Sequence, residues 1–269
     1  MLIRIFGALL LASSVNVMAE FDRHVKLVGE DNMRDMGGFE TMDGRRVSKG
    51  KLFRSGQLNE LTEADVQILA GLGIEQVVDL RSDAELKEYP SRLPQGVTVH
   101  HLSLSWNTGP KEQRRSLDDV MSGEISGREL LSSAYMEIGE GKIQSWTEFF
   151  NVLETGDTTL WHCAGGRDRA GMTAALTLLA LGVDKQTALE DHVASNQYLH
   201  EMNEARRAQA RAEYGEEAVV NIDEVLILDP WMMQSFYDTV DKDYGSMDAF
   251  FEVLDVDRAA LREHYLEPN

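Results

Sequence analysis

The segment TTLWHCAGGRDRAGMTAALTLLALG, residues 158–182, decides the fold of this chain. Its first residues, 158–163, form a short apolar run that is typical of a buried strand, and residues 170–182 have the spacing of an apolar helix that ends at Gly182. A glycine-rich turn with two arginines lies between them and contains Cys163, the only cysteine among 269 residues. The segment therefore predicts a strand–turn–helix unit with a thiol in its turn.

Strand and helix patterns alternate on both sides of this unit. Strands are predicted at 51–55, 75–82 and 97–104, and helices at 62–72, 129–153, 185–214, 230–241, 246–254 and 257–266. The polar stretch 105–128 has no clear period, and we expect it to be a loop over a site. The alternation predicts an α/β fold with a mostly parallel central sheet flanked by helices, in one domain that covers residues 20–269.

The turn has the residues that a phosphate-handling thiol needs. In α/β units, ligands bind where the chain leaves a strand for a helix, because unpaired N–H groups and the helix N-terminus attract anions there. Gly165 and Gly166 allow a tight turn, and the planar guanidinium of Arg169 can grip two phosphate oxygens. The same positive field favours the thiolate of Cys163. This arrangement predicts attack of the thiolate on phosphorus and a cysteinyl-phosphate intermediate, with no metal and no cofactor.

The decamer HCAGGRDRAG, residues 162–171, resembles the HCx5R signature of Cys-dependent protein tyrosine and dual-specificity phosphatases. It is most similar to the bacterial branch whose loop usually reads HCxAGKDRTG. The similarity extends to residues 32–85, to LLALGVDKQTALEDHVASNQYL (178–199) and to DYGSMDAFFE (243–252), so it covers most of the chain. The resemblance implies a tyrosine-phosphatase-like fold and the hydrolysis of phosphoric monoesters.

The resemblance also implies the roles of the loop residues. Cys163 would be the nucleophile, Arg169 would bind the phosphate, and His162 would orient the loop and help to keep the thiol ionised. The phosphate-binding loop would consist of Ala164, Gly165, Gly166, Arg167, Asp168 and Arg169. Ala170 departs from the family pattern, which usually has a hydroxyl residue there that assists turnover of the thiol-phosphate.

The general acid that protonates the leaving oxygen is left open by the sequence. The candidates are Asp79, Asp168, and Asp118 or Asp119 from the polar stretch. Asp79 ends a predicted strand and should share a sheet edge with Cys163, whereas Asp168 is implied by the resemblance. Asp79 could equally be a structural partner of Arg34 or Arg81. We expect Arg81, like Arg54, to form a framework ion pair rather than a substrate contact.

The predicted reaction is hydrolysis of phosphotyrosine in proteins or small phosphoesters, with phosphoserine and phosphothreonine as further substrates. One alternative is a phosphoinositide or inositol-phosphate phosphatase, because Arg167 beside Arg169 would suit a ligand with several phosphates. A second alternative is a phosphate-binding pseudophosphatase, an interpretation that Ala170 keeps open. The intact pair of Cys163 and Arg169 favours an enzyme.

The N-terminal sequence predicts the localisation of the protein, and the composition excludes one class of partner. Residues 1–19 combine a basic start, an apolar stretch and the small-residue ending VMA, which is the pattern of a secretory signal peptide cleaved after Ala19. The protein is therefore expected to be periplasmic or secreted, with no stable membrane insertion after cleavage. A formal net charge of −20 argues against nucleic acid as a partner.

Overall fold

The computed structural model of the protein describes residues 23–105 and 116–268. The predicted signal peptide (1–19) and residues 106–115 of the predicted polar loop lie outside these ranges.

Five short strands form one sheet in the described residues. They are β1 (Arg34–Asp35), β2 (Leu52–Ser55), β3 (Gln76–Asp79), β4 (Thr98–His101) and β5 (Thr159–His162). Their order across the sheet is β1-β2-β5-β3-β4, with β1 antiparallel to β2 and every other neighbouring pair parallel. The register sets His162 opposite Ser55 on one side and Asp79 on the other. The carboxyl ends of the three central strands therefore meet at one edge.

Twelve helices lie within the described ranges. They are α1 (Glu63–Gly71), α2 (Asp83–Glu88), α3 (Leu117–Met121), α4 (Gly127–Met136), α5 (Glu140–Leu153), α6 (Arg169–Leu181), α7 (Lys185–Tyr198), α8 (His200–Tyr214), α9 (Glu216–Leu226), α10 (Pro230–Tyr244), α11 (Met247–Val253) and α12 (Arg258–Tyr265). None of them has both the length and the apolar character that a membrane crossing would require.

The three central strands β2, β5 and β3 are buried on both faces of the sheet. Phe53, Val77 and Leu160 face a smaller cluster that includes Leu69 of α1. The opposite face carries Trp161 into the main core, which α5 and α6 cover. All 13 residues of α6 are buried, so the helix that follows Cys163 runs through the interior. This burial fixes the strand and helix that flank the thiol.

The predicted α/β class is confirmed, and several elements differ from the prediction. Strand β1 and helix α2 were not predicted. The predicted helix 129–153 is two helices separated at 137–139, and the stretch 185–214 breaks at Leu199. The loop predicted for 105–128 is wrong over α3, whose start Ser116 caps. Helix α9 was not predicted, although Ala218, Ile222 and Leu226 repeat every four residues and share a small core cluster with α8.

Candidate active site

The loop 163–168 joins β5 to α6 at the carboxyl edge of the sheet. Cys163 follows the last strand residue and is 2% exposed, and α6 begins at Arg169. Gly166 has a φ of +64°, and a Cβ there would lie 2.5 Å from the backbone of Ser55 and Gly56. Because both the conformation and the space exclude a side chain, the loop requires glycine at this position.

Arg54 on β2 holds the far side of the loop. Its Nη2 donates hydrogen bonds to the carbonyl oxygens of Gly166 at 2.6 Å and Arg167 at 3.2 Å. The Arg54 side chain is fully buried, and its Nη1 donates to Oδ2 of Asp191 at 2.7 Å. One guanidinium therefore ties the loop to both the sheet and helix α7.

The carbonyl groups of Ala164 and Gly165 also accept hydrogen bonds from other segments of the chain. The backbone N–H of Gln57 donates to the carbonyl of Ala164 at 3.0 Å, and Nδ2 of Asn32 donates to that of Gly165 at 2.9 Å. Four successive carbonyls, 164–167, thus accept hydrogen bonds from outside the loop.

The backbone N–H groups of the loop have no protein acceptor among the described residues and are available to a ligand. Within the described residues, no N–H group from 164 to 168 donates to another protein oxygen. Buried amides almost always find a partner, so five unused donors beside a thiol and a helix N-terminus suit an anion. The pattern is what a phosphate-binding loop needs, and that role stays a prediction.

Asp191 on α7 anchors the cationic support beneath this loop. It is 1% exposed and accepts from Arg23 at 3.2 Å, Arg34 at 3.2 Å and Arg54 at 2.7 Å. Burial opposes its ionisation, but the charges of Arg34, Arg54 and Arg23 lower the pKa of Asp191 far below its usual range. One carboxylate against three guanidinium groups leaves net positive charge behind the loop. That charge favours a bound anion such as phosphate.

Arg169 is braced by Glu85, the third residue of α2. Its Nη1 and Nη2 donate to the two carboxylate oxygens at 2.8 and 2.7 Å. Burial opposes the ionisation of Glu85, yet the hydrogen bonds and charge of Arg169 lower its pKa from 4.5 to about 2. The same carboxylate accepts from the backbone N–H of Ser82 at 2.9 Å, so it is also fixed to the start of its helix. The guanidinium therefore has one defined orientation.

Three guanidinium groups lie close to Cys163. The guanidinium groups of Arg54, Arg167 and Arg169 all lie close enough for a Cys163 thiolate to interact with their charges. These cations come from three places, namely strand β2, the middle of the loop and the first residue of α6. The predicted association of the thiol with a positive field is thus present in the structure.

Asp79 lies at the predicted sheet edge but is committed to Arg81. Nε and Nη2 of Arg81 donate to its two carboxylate oxygens at 2.9 and 2.7 Å, and Asp79 is 2% exposed. Burial raises the pKa of Asp79, but the Arg81 hydrogen bonds and the nearby His162 outweigh it and lower the pKa overall. This geometry favours the structural interpretation of Asp79, with Arg81 and not Arg34 as the partner.

His162 packs between the loop and this ion pair. Its Nε2 lies 3.4 Å from Oδ2 of Asp79, and the ring is fully buried. Burial lowers the pKa of His162 to about 4, so the ring is neutral at pH 7. Its position supports a role in orienting the loop, whereas a direct contribution of positive charge to the thiol is not supported.

Asp168 faces a different set of partners on the other side of the loop. Oδ1 accepts from the hydroxyl of Tyr135 at 2.6 Å, and Oδ2 accepts from Nε and Nη2 of Arg167 at 3.1 and 3.0 Å. Burial opposes ionisation, but the charge of Arg167 and the Tyr135 hydrogen bond lower the pKa of Asp168. Arg167 is further tied by a hydrogen bond from Nη1 to the carbonyl of Leu226 at 3.1 Å.

The remaining acid candidates lie apart from these contacts. Asp118 and Asp119 belong to the first turn of α3, which packs against α9. Asp119 accepts from the backbone N–H of Ser116 at 2.7 Å and so caps its own helix, while Asp118 is exposed. No described contact joins either of them to the loop.

Several residues that shape the site were not found by sequence reasoning. They are Asn32, Glu85, Tyr135, Asp191 and His192. Glu85 completes the pattern Ser82-x-x-Glu85, which signals a capping box and a helix start but says nothing about Arg169. The others lie on distant segments: Asn32 is 133 positions from Gly165, Tyr135 is 33 positions from Asp168, and no local pattern connects them.

Comparison with known proteins agrees with this geometry. A strand–loop–helix unit with an anion-ready loop, a thiol and a braced arginine is suited to binding a phosphate group. The sequence model described as "Tyrosine phosphatase family" matches residues 25–267, and the chain therefore belongs to that family and is a hydrolase of phosphoric monoesters.

Individual relatives span nearly the whole chain. A candidate tyrosine-protein phosphatase of Cupriavidus necator is 31% identical over 87% of this chain and 85% of its own length. The triple specificity protein phosphatase PtpB of Mycobacterium tuberculosis is 25% identical over 88% of this chain and 95% of its own length. Among solved structures, TpbA of P. aeruginosa aligns with 65% of this chain and 88% of its own, at 21% identity and a TM-score of 0.30.

Proposed function

We propose that this protein is an exported phosphatase that hydrolyses phosphotyrosine esters through a cysteinyl-phosphate intermediate. The observation that carries the proposal is the loop around Cys163, whose carbonyls 164–167 are all bound from outside while its amides remain available for an anion. Arg169 and the buried guanidinium cluster around Asp191 add positive charge at the same place. A thiol placed there meets phosphorus when a phosphate fills the loop.

The reaction takes two displacements. The Cys163 thiolate attacks phosphorus, an S–P bond forms, and the P–O bond to the alcohol breaks while an acid protonates the leaving oxygen. Water then attacks the cysteinyl-phosphate, the S–P bond breaks, and inorganic phosphate leaves with regeneration of the thiolate. The loop amides and Arg169 bind the equatorial oxygens in both steps, where preorganised donors stabilise developing charge.

Arg169 can serve the phosphate without releasing its brace. A guanidinium has two edges that can each bind two oxygens, and Glu85 takes the edge formed by Nη1 and Nη2. We assign the edge formed by Nε and Nη to the phosphate. The Glu85 contact then positions the clamp before substrate arrives, which reduces the ordering cost of binding.

We assign the acid and base role to Asp168. Asp79 is paired with Arg81 and is 2% exposed, so it has almost no surface at which a substrate could approach it. Asp168 lies within the loop and is partly exposed. A bound phosphate adds negative charge beside Asp168 and so raises its pKa, which allows the carboxyl to take up a proton in the complex.

The contacts of Arg167 favour an aryl phosphate over a ligand with several phosphates. Its guanidinium is committed to Asp168 and to the carbonyl of Leu226, and the residue is 9% exposed. It therefore does not present a second cation to the pocket as the inositol-phosphate alternative would need. The relative PtpB is named for triple specificity, so phosphoserine, phosphothreonine and a phosphoinositide belong in the substrate panel.

Export is supported by the sequence of the first 19 residues, and cleavage after Ala19 would leave a chain that begins at Glu20. The family match begins at residue 25, after this cleavage point. A chain carrying the full N-terminus should be recovered from the periplasm or medium with Glu20 as its first residue. Recovery in the cytoplasm with Met1 retained would contradict export.

The catalytic proposal is tested with the chain from Glu20, assayed on p-nitrophenyl phosphate under reducing conditions with a chelator. We expect the wild-type chain to hydrolyse p-nitrophenyl phosphate in the presence of the chelator and Cys163→Ser to show no hydrolysis. Phosphotyrosine peptide should be hydrolysed faster than phosphoserine peptide or phosphoinositide. Phosphate binding without turnover by the folded wild type would instead favour a pseudophosphatase.

A further inference from the structure

Two buried side chains, one from each of two helices, lead to Asp168 through hydrogen bonds. Tyr135 on α4 donates its hydroxyl proton to Oδ1 of Asp168 at 2.6 Å. The same hydroxyl oxygen lies 3.2 Å from Nε2 of His192 on α7. Tyr135 and His192 are both fully buried, and neither is part of the loop.

The direction of these hydrogen bonds follows from the chemistry. An ionised carboxylate can only accept, so the single hydroxyl proton of Tyr135 goes to Asp168. The Tyr135 oxygen must then accept from His192, which fixes the ring as the tautomer with hydrogen on Nε2. Burial and the charge of Arg54 lower the pKa of His192 to about 3, so the ring is neutral and keeps this tautomer throughout the pH range of an assay.

We propose that Tyr135 is a positioning residue for the phosphatase reaction and that its hydroxyl, backed by His192, holds the Asp168 carboxylate in place for proton transfer. The inference rests on the role of Asp168 in the proposed function. Tyr135 itself has no exposed surface and does not reach substrate, so it acts through Asp168.

Two separate donors fix the two oxygens of Asp168. Arg167 holds Oδ2 and Tyr135 holds Oδ1, so the carboxylate plane cannot rotate without losing a hydrogen bond. Burial raises the pKa of Tyr135 well above its usual range, which keeps the hydroxyl protonated and able to donate. The charged and titratable groups that face Asp168 are Arg167, Arg169, Tyr135, His192 and Arg206 of α8.

The first test is Tyr135→Phe, with Tyr265→Phe as the matched control. Tyr265 is also fully buried, and its hydroxyl donates to backbone carbonyls of Leu153 and Asp157 at the opposite end of β5. Loss of a donor to a carboxylate raises its pKa, so the limb of the pH–rate profile that belongs to Asp168 should move up by roughly 0.5 to 1 pH unit in Tyr135→Phe. Tyr265→Phe should leave the profile in place.

The dependence on the leaving group gives a second readout. An acid matters more for phenyl phosphate than for p-nitrophenyl phosphate, whose leaving group needs little protonation. Tyr135→Phe should therefore slow phenyl phosphate by roughly 3- to 10-fold more than p-nitrophenyl phosphate. In the Asp168→Asn background the same change should have no further effect on the rates.

A pair of His192 variants covers the case in which Tyr135→Phe fails to fold. The carboxamide nitrogen of Gln can replace Nε2 as a donor, so His192→Gln should retain the wild-type profile, whereas His192→Leu should shift it as Tyr135→Phe does. An unshifted profile in both Tyr135→Phe and His192→Leu would overturn the proposal. Equal loss at every pH with both phenyl esters would show a merely structural role and would overturn it too.

Urea unfolding separates this inference from the proposed function. Tyr135→Phe and Asp168→Asn should shift the urea midpoint non-additively, because the two side chains share one hydrogen bond. Additive shifts would show that the contact is absent and would overturn the inference while leaving Cys163 chemistry intact. A non-additive shift in a protein with no turnover on any phosphoester would instead overturn the proposed function, and the positioning role with it.

Discussion

Replacing Glu85 with Gln should weaken phosphate binding and turnover without unfolding the protein. The pKa of Glu85 is lowered from 4.5 to about 2, and each pKa unit corresponds to about 1.4 kcal/mol of differential interaction. Ser82 supplies part of this stabilisation, and about a third of the Glu85 side chain remains exposed to screening solvent. We assign about 1.5 kcal/mol to the Arg169 brace, which predicts roughly a tenfold loss in kcat/KM.

The assay compares Glu85→Gln with Glu88→Gln, which changes the same residue type on the exposed side of α2. Steady-state kinetics on p-nitrophenyl phosphate and the inhibition constant of orthovanadate should both show about tenfold loss in Glu85→Gln and little change in Glu88→Gln. The effect should be equal from pH 5 to pH 8. The Glu85 pKa is depressed, so its contribution is complete above about 4.5 and is lost only as the pH falls towards 2.

A loss in kcat/KM below twofold in Glu85→Gln, with an unchanged urea midpoint, would contradict the brace on Arg169. A loss that appeared only below pH 6 would contradict it too, because the Glu85 carboxylate stays ionised from pH 5 to pH 8. Equal losses in the two glutamate variants would show a general effect of charge on α2 rather than a brace on Arg169.

Three further outcomes follow from the loop and its supports. Gly166→Ala should abolish turnover while the chain stays folded, because its Cβ would lie 2.5 Å from backbone atoms of Ser55 and Gly56; wild-type rates would contradict this. Asp191→Asn should lower the free energy of unfolding in urea by about 3–5 kcal/mol, because it leaves three buried arginines without their carboxylate. A decrease below about 1 kcal/mol would contradict a stabilising role of these ion pairs. Arg167→Ala should leave the ratio of phosphoinositide to phosphotyrosine rates within about threefold, and a selective loss of the phosphoinositide rate would revive that alternative.

The central part of the fold could be predicted because its signals are local. The strand before Cys163, the glycine turn and the apolar helix after it occupy one continuous segment, and each has a distinct pattern. Arg54 was expected to form a framework ion pair, and it is bonded to Asp191 inside the protein. The sheet register then follows from short apolar strands that fit only one buried arrangement.

The supports of the loop could not be predicted because they depend on tertiary contacts. Asp191 lies on α7, and nothing in its neighbourhood shows that three arginines from the N-terminal half converge on it. Tyr135 lies 33 positions from Asp168, on a helix that no local pattern relates to the loop.

The site also shows why two similar aspartates differ. Asp79 and Asp168 both lie near Cys163 in the chain's fold, and both have a lowered pKa. Asp79 is bound at both oxygens by the guanidinium of Arg81 and is 2% exposed. Asp168 lies in the loop and is bound by the hydroxyl of Tyr135 on α4 and by the guanidinium of Arg167. Sequence position alone could not separate an ion-pair partner from a proton carrier.

The most direct measurement of the central claim is the covalent state of Cys163 during turnover. The chain from Glu20 would be mixed with p-nitrophenyl phosphate, quenched in acid within milliseconds, and analysed by intact and peptide mass spectrometry. We expect a mass gain of one phosphoryl group on the peptide that contains Cys163, absent in Cys163→Ser. Turnover at wild-type rates by Cys163→Ser, or a phosphoryl group found on another residue, would contradict it.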